Sequence, residues 1–172
     1  MRGFIHRRDH NMMRRANNWP APRWIRVYAI AASRLGDGWI WLAMGLVLLA
    51  FGGAERIEAI ASAVMASAAS VMLFNLLKRV TGRQRPCDIE PHCWATLLPP
   101  DRFSFPSGHT MTAFAVTVAV SLYYPAWSFG LLFCAFSIAV SRILLGMHFL
   151  SDVAAGALLG AALGWGSYFM FA

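Results

Sequence analysis

SRILLGMHFLSD (141–152) runs directly into VAAGALLGAALGWGSYFMF (153–171), and the two halves of this stretch ask for different surroundings. Val153 to Phe171 carries no charged side chain, and about 20 mostly apolar residues suffice to cross a bilayer. Gly156, Gly160 and Gly164 recur at four-residue intervals, a spacing that lets helix backbones approach closely. The first half instead places Arg142, His148 and Asp152 at the mouth of that span. Ionisable groups at membrane depth are costly, so their presence marks a candidate functional site.

Working towards the N-terminus, further spans are expected at about 126–142, 107–124, 59–78 and 37–54, separated by short polar turns. Residues 79–106 are polar and proline-rich, too irregular to lie in hydrocarbon. The composition agrees: 58% of residues are hydrophobic, 13% are charged, and the mean hydropathy is +0.52. Soluble domains carry about twice that share of charge. The expected fold is all-α, a multi-pass transmembrane helical bundle of five or six spans, its membrane domain covering 36–172.

Residues 1–35 form a basic tail and an N-terminal interfacial amphipathic helix in this reading. Eight of the fourteen arginines lie here: Arg2, Arg7, Arg8, Arg14, Arg15, Arg23, Arg26 and Arg34. In 23–35 (RWIRVYAIAASRL) the arginines share one helical face and apolar residues cover the rest, as in a helix lying at a membrane surface. The net charge of +7 is therefore directed at anionic headgroups. No basic, aromatic-interleaved soluble module accompanies it, so nucleic acid is not an expected partner. Cys134 reads as a small buried hydrophobe, while Cys87 and Cys93 share a polar loop that admits a disulfide in an oxidising compartment.

From Phe103 onwards the only Asp, Glu, Lys or Arg residues are Arg142 and Asp152, joined by His109 and His148. Antiparallel spans bring the junctions 78–86, 106–109 and 142–152 to one membrane face. Lys78, Arg85 and Arg142 then make a cationic pocket, with arginine forks matched to phosphate oxygens. Pro106-Ser107-Gly108 opens a helix whose free N–H groups suit an anion. His148 suits a nucleophile, with Asp152 one turn away to fix its tautomer, and His109 suits a general acid. Each element has a plainer reading alone: snorkelling cations, a loop-to-helix junction, a structural hydrogen bond. A metal is disfavoured because three cations crowd the same pocket. Their joint occurrence at membrane boundaries favours phosphoryl transfer without a cofactor.

Lys78-x6-Arg85-Pro86, Pro106-Ser107-Gly108-His109 and Ser141-Arg142-x5-His148-x3-Asp152 resemble the three-part signature of the type 2 phosphatidic acid phosphatase (PAP2) superfamily, matching it at every signature position. The resemblance implies metal-independent hydrolysis of a phosphate monoester or diphosphate, usually on a membrane lipid. It implies His148 as nucleophile with Asp152 as its partner, His109 as proton donor to the leaving group, and Lys78, Arg85, Ser107, Gly108 and Arg142 as phosphate ligands. It also implies a bacterial inner-membrane location with the active site on the periplasmic face, against the charge of the N-terminus. Vanadium-dependent haloperoxidases share the signature but are soluble, unlike this composition. A phosphotransferase using the same histidine, and a non-catalytic lipid-binding or flipping protein, are the remaining alternatives.

Overall fold

A computed structural model describes residues 2–89 and 102–172. Among the described residues every regular element is helical: α1 (Arg2–Asn17), α2 (Arg23–Leu35), α3 (Trp39–Phe51), α4 (Arg56–Thr81), the single turn α5 (Pro86–Ile89), α6 (Gly108–Tyr123), α7 (Ser128–Leu144) and α8 (Leu150–Phe171). The sequence-expected spans fall on α3, α4, α6, α7 and α8. The loop carrying Cys93 and Trp94 lies outside the described residues. Cys134 is half-buried on α7.

The core is α6, wedged between α4, α7 and α8. Small and β-branched residues (Ala113, Ala115, Val116, Ala119, Val120) are buried along it, and they let three neighbours close in at once. The tightest seam is α6 on α8. A Cβ on Gly156 would sit 2.7 Å from the carbonyl oxygen of Ser107, and one on Gly160 or Gly164 would overlap the carbonyls of Met111 or Ala115. The four-residue glycine interval on α8 thus meets a four-residue row of carbonyls on α6. Packing of this kind drives helix association where lipid removes the hydrophobic incentive. Gly160→Ala is expected to force the helices apart and lower stability by about 1–3 kcal/mol, read as a lower melting temperature in detergent.

Among the described residues three segments are long and apolar enough to cross a membrane: 56–89, 125–144 and 150–171. α2 and α3 together give a fourth candidate, bent by 61° at Gly36-Asp37-Gly38. α3 and α6, with 13 and 16 residues, are shorter than the usual span. The protein is an integral membrane protein built as an all-helical bundle.

Helix ends position the site. Gly82 adopts a left-handed conformation (φ 57°) and its N–H caps Lys78 O, which stops α4 one turn after Lys78. Four backbone contacts then stitch the junctions together: Ser104 N to Arg83 O, Cys87 N to Gly146 O, Ser107 N to Asp152 O, and His148 N to Arg142 O. The three motifs, separated by up to 74 residues in sequence from Lys78 to Asp152, form one end of the bundle.

Candidate active site

At that end a cavity of about 420 Å³ is lined by Lys78, Arg85, Gly108, His109, Arg142 and His148, together with Asp37, Trp41 and Asn75. Six of the eight sequence-predicted site residues therefore face one space. Three of them are cations, and Lys78, Arg85 and Arg142 are all buried. Such a density of buried positive charge needs an anion to balance it. Lys78 Nζ stands 4.9 Å from the centre of the Phe74 ring, Arg142 Nη1 donates to Ser33 Oγ, and Arg85 Nη1 donates to the Met147 carbonyl at 2.9 Å. Gly108 presses on the Phe74 ring, which a Cβ would meet at 3.2 Å. The N-terminus of α6 thus enters the cavity without a side chain in the way.

Ser107 and Asp152 stand behind the cavity wall. Ser107 Oγ pairs with Thr110 Oγ1 at 2.9 Å, so its contribution to the cavity wall is as the residue before the first turn of α6. Asp152 is fully buried, and its role differs from the sequence expectation. α8 starts at Leu150, so His148 lies outside the helix and is not an i,i+4 helical neighbour of Asp152. Asp152 Oδ2 accepts the Phe149 N–H at 2.9 Å and Oδ1 accepts Arg83 Nη1 at 2.6 Å. Its distance to His148 Nδ1 is 3.8 Å, a charge contact and not a hydrogen bond.

The hydrogen bond on His148 Nδ1 comes from the backbone: the Ser104 carbonyl lies 2.6 Å away. A carbonyl can only accept, so Nδ1 carries the proton and Nε2 keeps its lone pair. Nε2 points into the cavity, 3.2 Å from Arg85 Nη1. Burial, then the positive charges of Arg85, Arg142 and Lys78, push the His148 pKa well below 6.5. The imidazole is therefore neutral at neutral pH, the form a nucleophile requires. Because the neutral form is lost only on acidification, the acid limb of kcat/KM that belongs to His148 is expected below pH 6.5. A pH–rate profile corrected for ionisation of the substrate phosphate checks this.

Sequence reasoning missed four participants. Asp37, in the α2–α3 turn, accepts from or pairs with His109 Nε2 at 2.6 Å. Ser104 supplies the carbonyl on His148. Arg83 bridges Asp152 and, at 2.7 Å, Asp9 of α1. Ser33 steadies Arg142. A backbone carbonyl leaves no trace in residue type, and neither Asp9 nor Asp37 has a fixed spacing from the motifs. Arg83 alone had a signal, being one of four cations in the 78–85 segment.

Residues 59–172 match the model of the PAP2 superfamily. The chain belongs to the PAP2 superfamily. It is 39% identical to the decaprenylphosphoryl-5-phosphoribose phosphatase of Mycobacterium tuberculosis, over 74% of this chain and 68% of that protein. It is 36% identical to the lipid A 1-phosphatase of Rhizobium johnstonii, over 54% of this chain and 39% of that protein. This PAP2 chain thus spans about two fifths of the length of that lipid A phosphatase. The crystal structure of Aquifex aeolicus LpxE superposes with a TM-score of 0.75 at 30% identity, covering 91% of this chain and 92% of that one.

Proposed function

We propose that the protein is a metal-independent phosphatase of a membrane lipid, working through a phosphohistidine at His148. The observation that carries this reading is the His148 tautomer: Nδ1–H is tied to the Ser104 carbonyl, and the Nε2 lone pair is aimed at a buried tricationic cavity. Nε2 attacks phosphorus, and the bond from phosphorus to the lipid oxygen breaks. His109, its imidazolium held at Nε2 by Asp37, delivers the Nδ1 proton to that oxygen, and Lys78, Arg85, Arg142 and the α6 N-terminus hold the remaining oxygens. The phosphorylated ring is cationic, and the Ser104 carbonyl and the Asp152 carboxylate at 3.8 Å stabilise it. Water then attacks phosphorus with His109 as base, releasing phosphate and restoring Nε2.

A second cavity of about 420 Å³, bounded by Leu42, Met44, Leu48, Ile60, Val64 and Val116, adjoins the first, and Trp41 lines both. A phosphate in the cationic cavity and a hydrocarbon chain in the apolar one is the division a lipid phosphate requires. Phosphatidic acid, phosphatidylglycerol phosphate, polyprenyl diphosphate and lipid A phosphates are the substrate candidates. The relatives named for a prenyl-linked phosphoribose and for lipid A support that range. The test is phosphate release by purified protein in EDTA across this panel. Release unaffected by EDTA and inhibited by vanadate, which mimics the five-coordinate transition state, is expected; metal-dependent release overturns the reading.

A further inference from the structure

Gly36-Asp37-Gly38 joins α2 to α3 and lies outside both the signature motifs and the 59–172 stretch that matches the family model. All three residues nonetheless line the cavity. The turn sits directly on His109. A Cβ on Gly36 would meet Ile138 Cγ2 at 2.9 Å and His109 Cδ2 at 3.3 Å, so glycine lets the backbone close onto the ring. Gly38 has φ 122°, a conformation that favours glycine, and the chain bends there by 61° into α3. Between them Asp37 places Oδ1 2.6 Å from His109 Nε2. The Nε2–Cδ2 edge of the ring therefore faces the turn, which leaves the Nδ1 edge for a substrate.

Charge gives this contact its consequence. Lys78 of α4, Arg85 beside α5 and Arg142 of α7 line the same cavity and oppose a proton on His109. Asp37 is the only carboxylate lining that cavity among the described residues, and its side chain is 55% exposed, so water supports its charge. A carboxylate at hydrogen-bond distance favours the imidazolium and fixes the ring. We propose that Asp37 is a positioning residue for departure of the leaving group, holding His109 protonated with Nδ1–H turned to the departing oxygen. In that step the phosphorus–oxygen bond breaks, its electron pair stays on the oxygen, and the Nδ1 proton moves to it. Asp37 keeps its charge, and the neutral ring stays bonded to it through Nε2–H. The inference rests on the proposed function and deepens it: such a pair matters most when the leaving group is the alkoxide of a lipid alcohol, which departs poorly without a proton.

The test uses two amphiphiles of equal chain length whose leaving groups differ in their need for a proton. An n-alkyl phosphate releases an alkoxide, whereas an alkyl-substituted nitrophenyl phosphate releases a phenolate that is stable without one. The quantity read is kcat/KM, which covers the steps up to departure of the leaving group and not the later water step that both substrates share. With Asp37→Asn, kcat/KM for the alkyl phosphate is expected to fall by about 10²-fold, while that for the nitrophenyl phosphate stays within about threefold of the wild type. An equal fall for both substrates, as a merely structural role would give, or no fall for either, overturns the proposal. Should Asp37→Asn fail to accumulate, Gly36→Ala is read with the same pair, because its Cβ pushes the turn off the ring with the carboxylate retained. The same selective fall is expected, and an unselective one overturns the proposal. Wild-type protein that releases phosphate from neither amphiphile nor from the lipid panel refutes the phosphatase reading, and the proposal with it.

Discussion

His148→Ala is expected to abolish phosphate release, with a loss of at least about 10⁴-fold in kcat, while the bundle stays folded. The reason is that the Nε2 lone pair of His148 faces the cationic cavity and is held in place from behind by the Ser104 carbonyl on Nδ1. A 10⁴-fold loss corresponds to about 5.5 kcal/mol of transition-state stabilisation. The structural cost is smaller. Alanine leaves the Ser104 carbonyl without its donor, a loss of about 1–3 kcal/mol, and the α6–α8 seam is untouched. Paired measurement of kcat and of the melting temperature in detergent separates the two. A variant that melts near the wild type and turns over normally would remove His148 from the mechanism.

Asp152→Asn is expected to lower kcat by about 10²–10³-fold, less than removal of His148, and its reason follows from the geometry. If the carboxylate held the Nδ1 proton, an amide there would favour the wrong tautomer and cost far more. Here the Ser104 carbonyl holds that proton, so asparagine leaves the tautomer alone. What is lost is negative charge 3.8 Å from a ring that becomes cationic, and the strong acceptor for Arg83. At that separation in a partly dry site, one unit of charge interacts by about 4 kcal/mol at an effective dielectric of 20. The amide dipole and its oxygen on Phe149 N–H retain part of this. Asp152→Ala, which also uncaps α8, is expected to lose both activity and stability. Steady-state rates for the two variants beside their melting temperatures check the ordering; an asparagine variant as dead as His148→Ala would put Asp152 in direct charge of the histidine.

The contrast shows where sequence reading succeeds and where it stops. Helices α4, α7 and α8 were legible because uninterrupted apolar runs leave few alternatives in a bilayer, and Gly156, Gly160 and Gly164 announced a close contact before its partner was known. Lys78, Arg85, Gly108, His109, Arg142 and His148 stood out because Lys78 is the sole lysine, charge is rare beyond residue 103, and each lies at or beside a helix end. The partner of His148 was not. Spacing suggested Asp152 because i,i+4 residues meet on a helix, yet the helix begins two residues after the histidine, so the carboxylate caps the helix and the carbonyl from 44 residues upstream takes the imidazole. Nor could composition tell on which end α1 and α2 dock. That depends on one buried carboxylate, Asp9, finding Arg83 and Ser151 across more than 70 residues of chain.

Asp9 also gives the charged tail a mechanical link to the chemistry. Arg83 joins Asp9 to Asp152, and Asp9 caps the same helix end through Ser151 N–H. The arginine-rich helix and the turn that carries His148 are therefore parts of one hydrogen-bonded unit.

The phosphoryl group is proposed to pass through His148, and trapping it there is the most direct test. Purified protein is mixed with a ³²P-labelled lipid phosphate, quenched within a turnover, and digested for mass spectrometry. An acid-labile, base-stable phosphate on the peptide containing His148, absent from His148→Ala, is expected. Label on another residue, or turnover with no covalent label in a single-turnover time course, would contradict it.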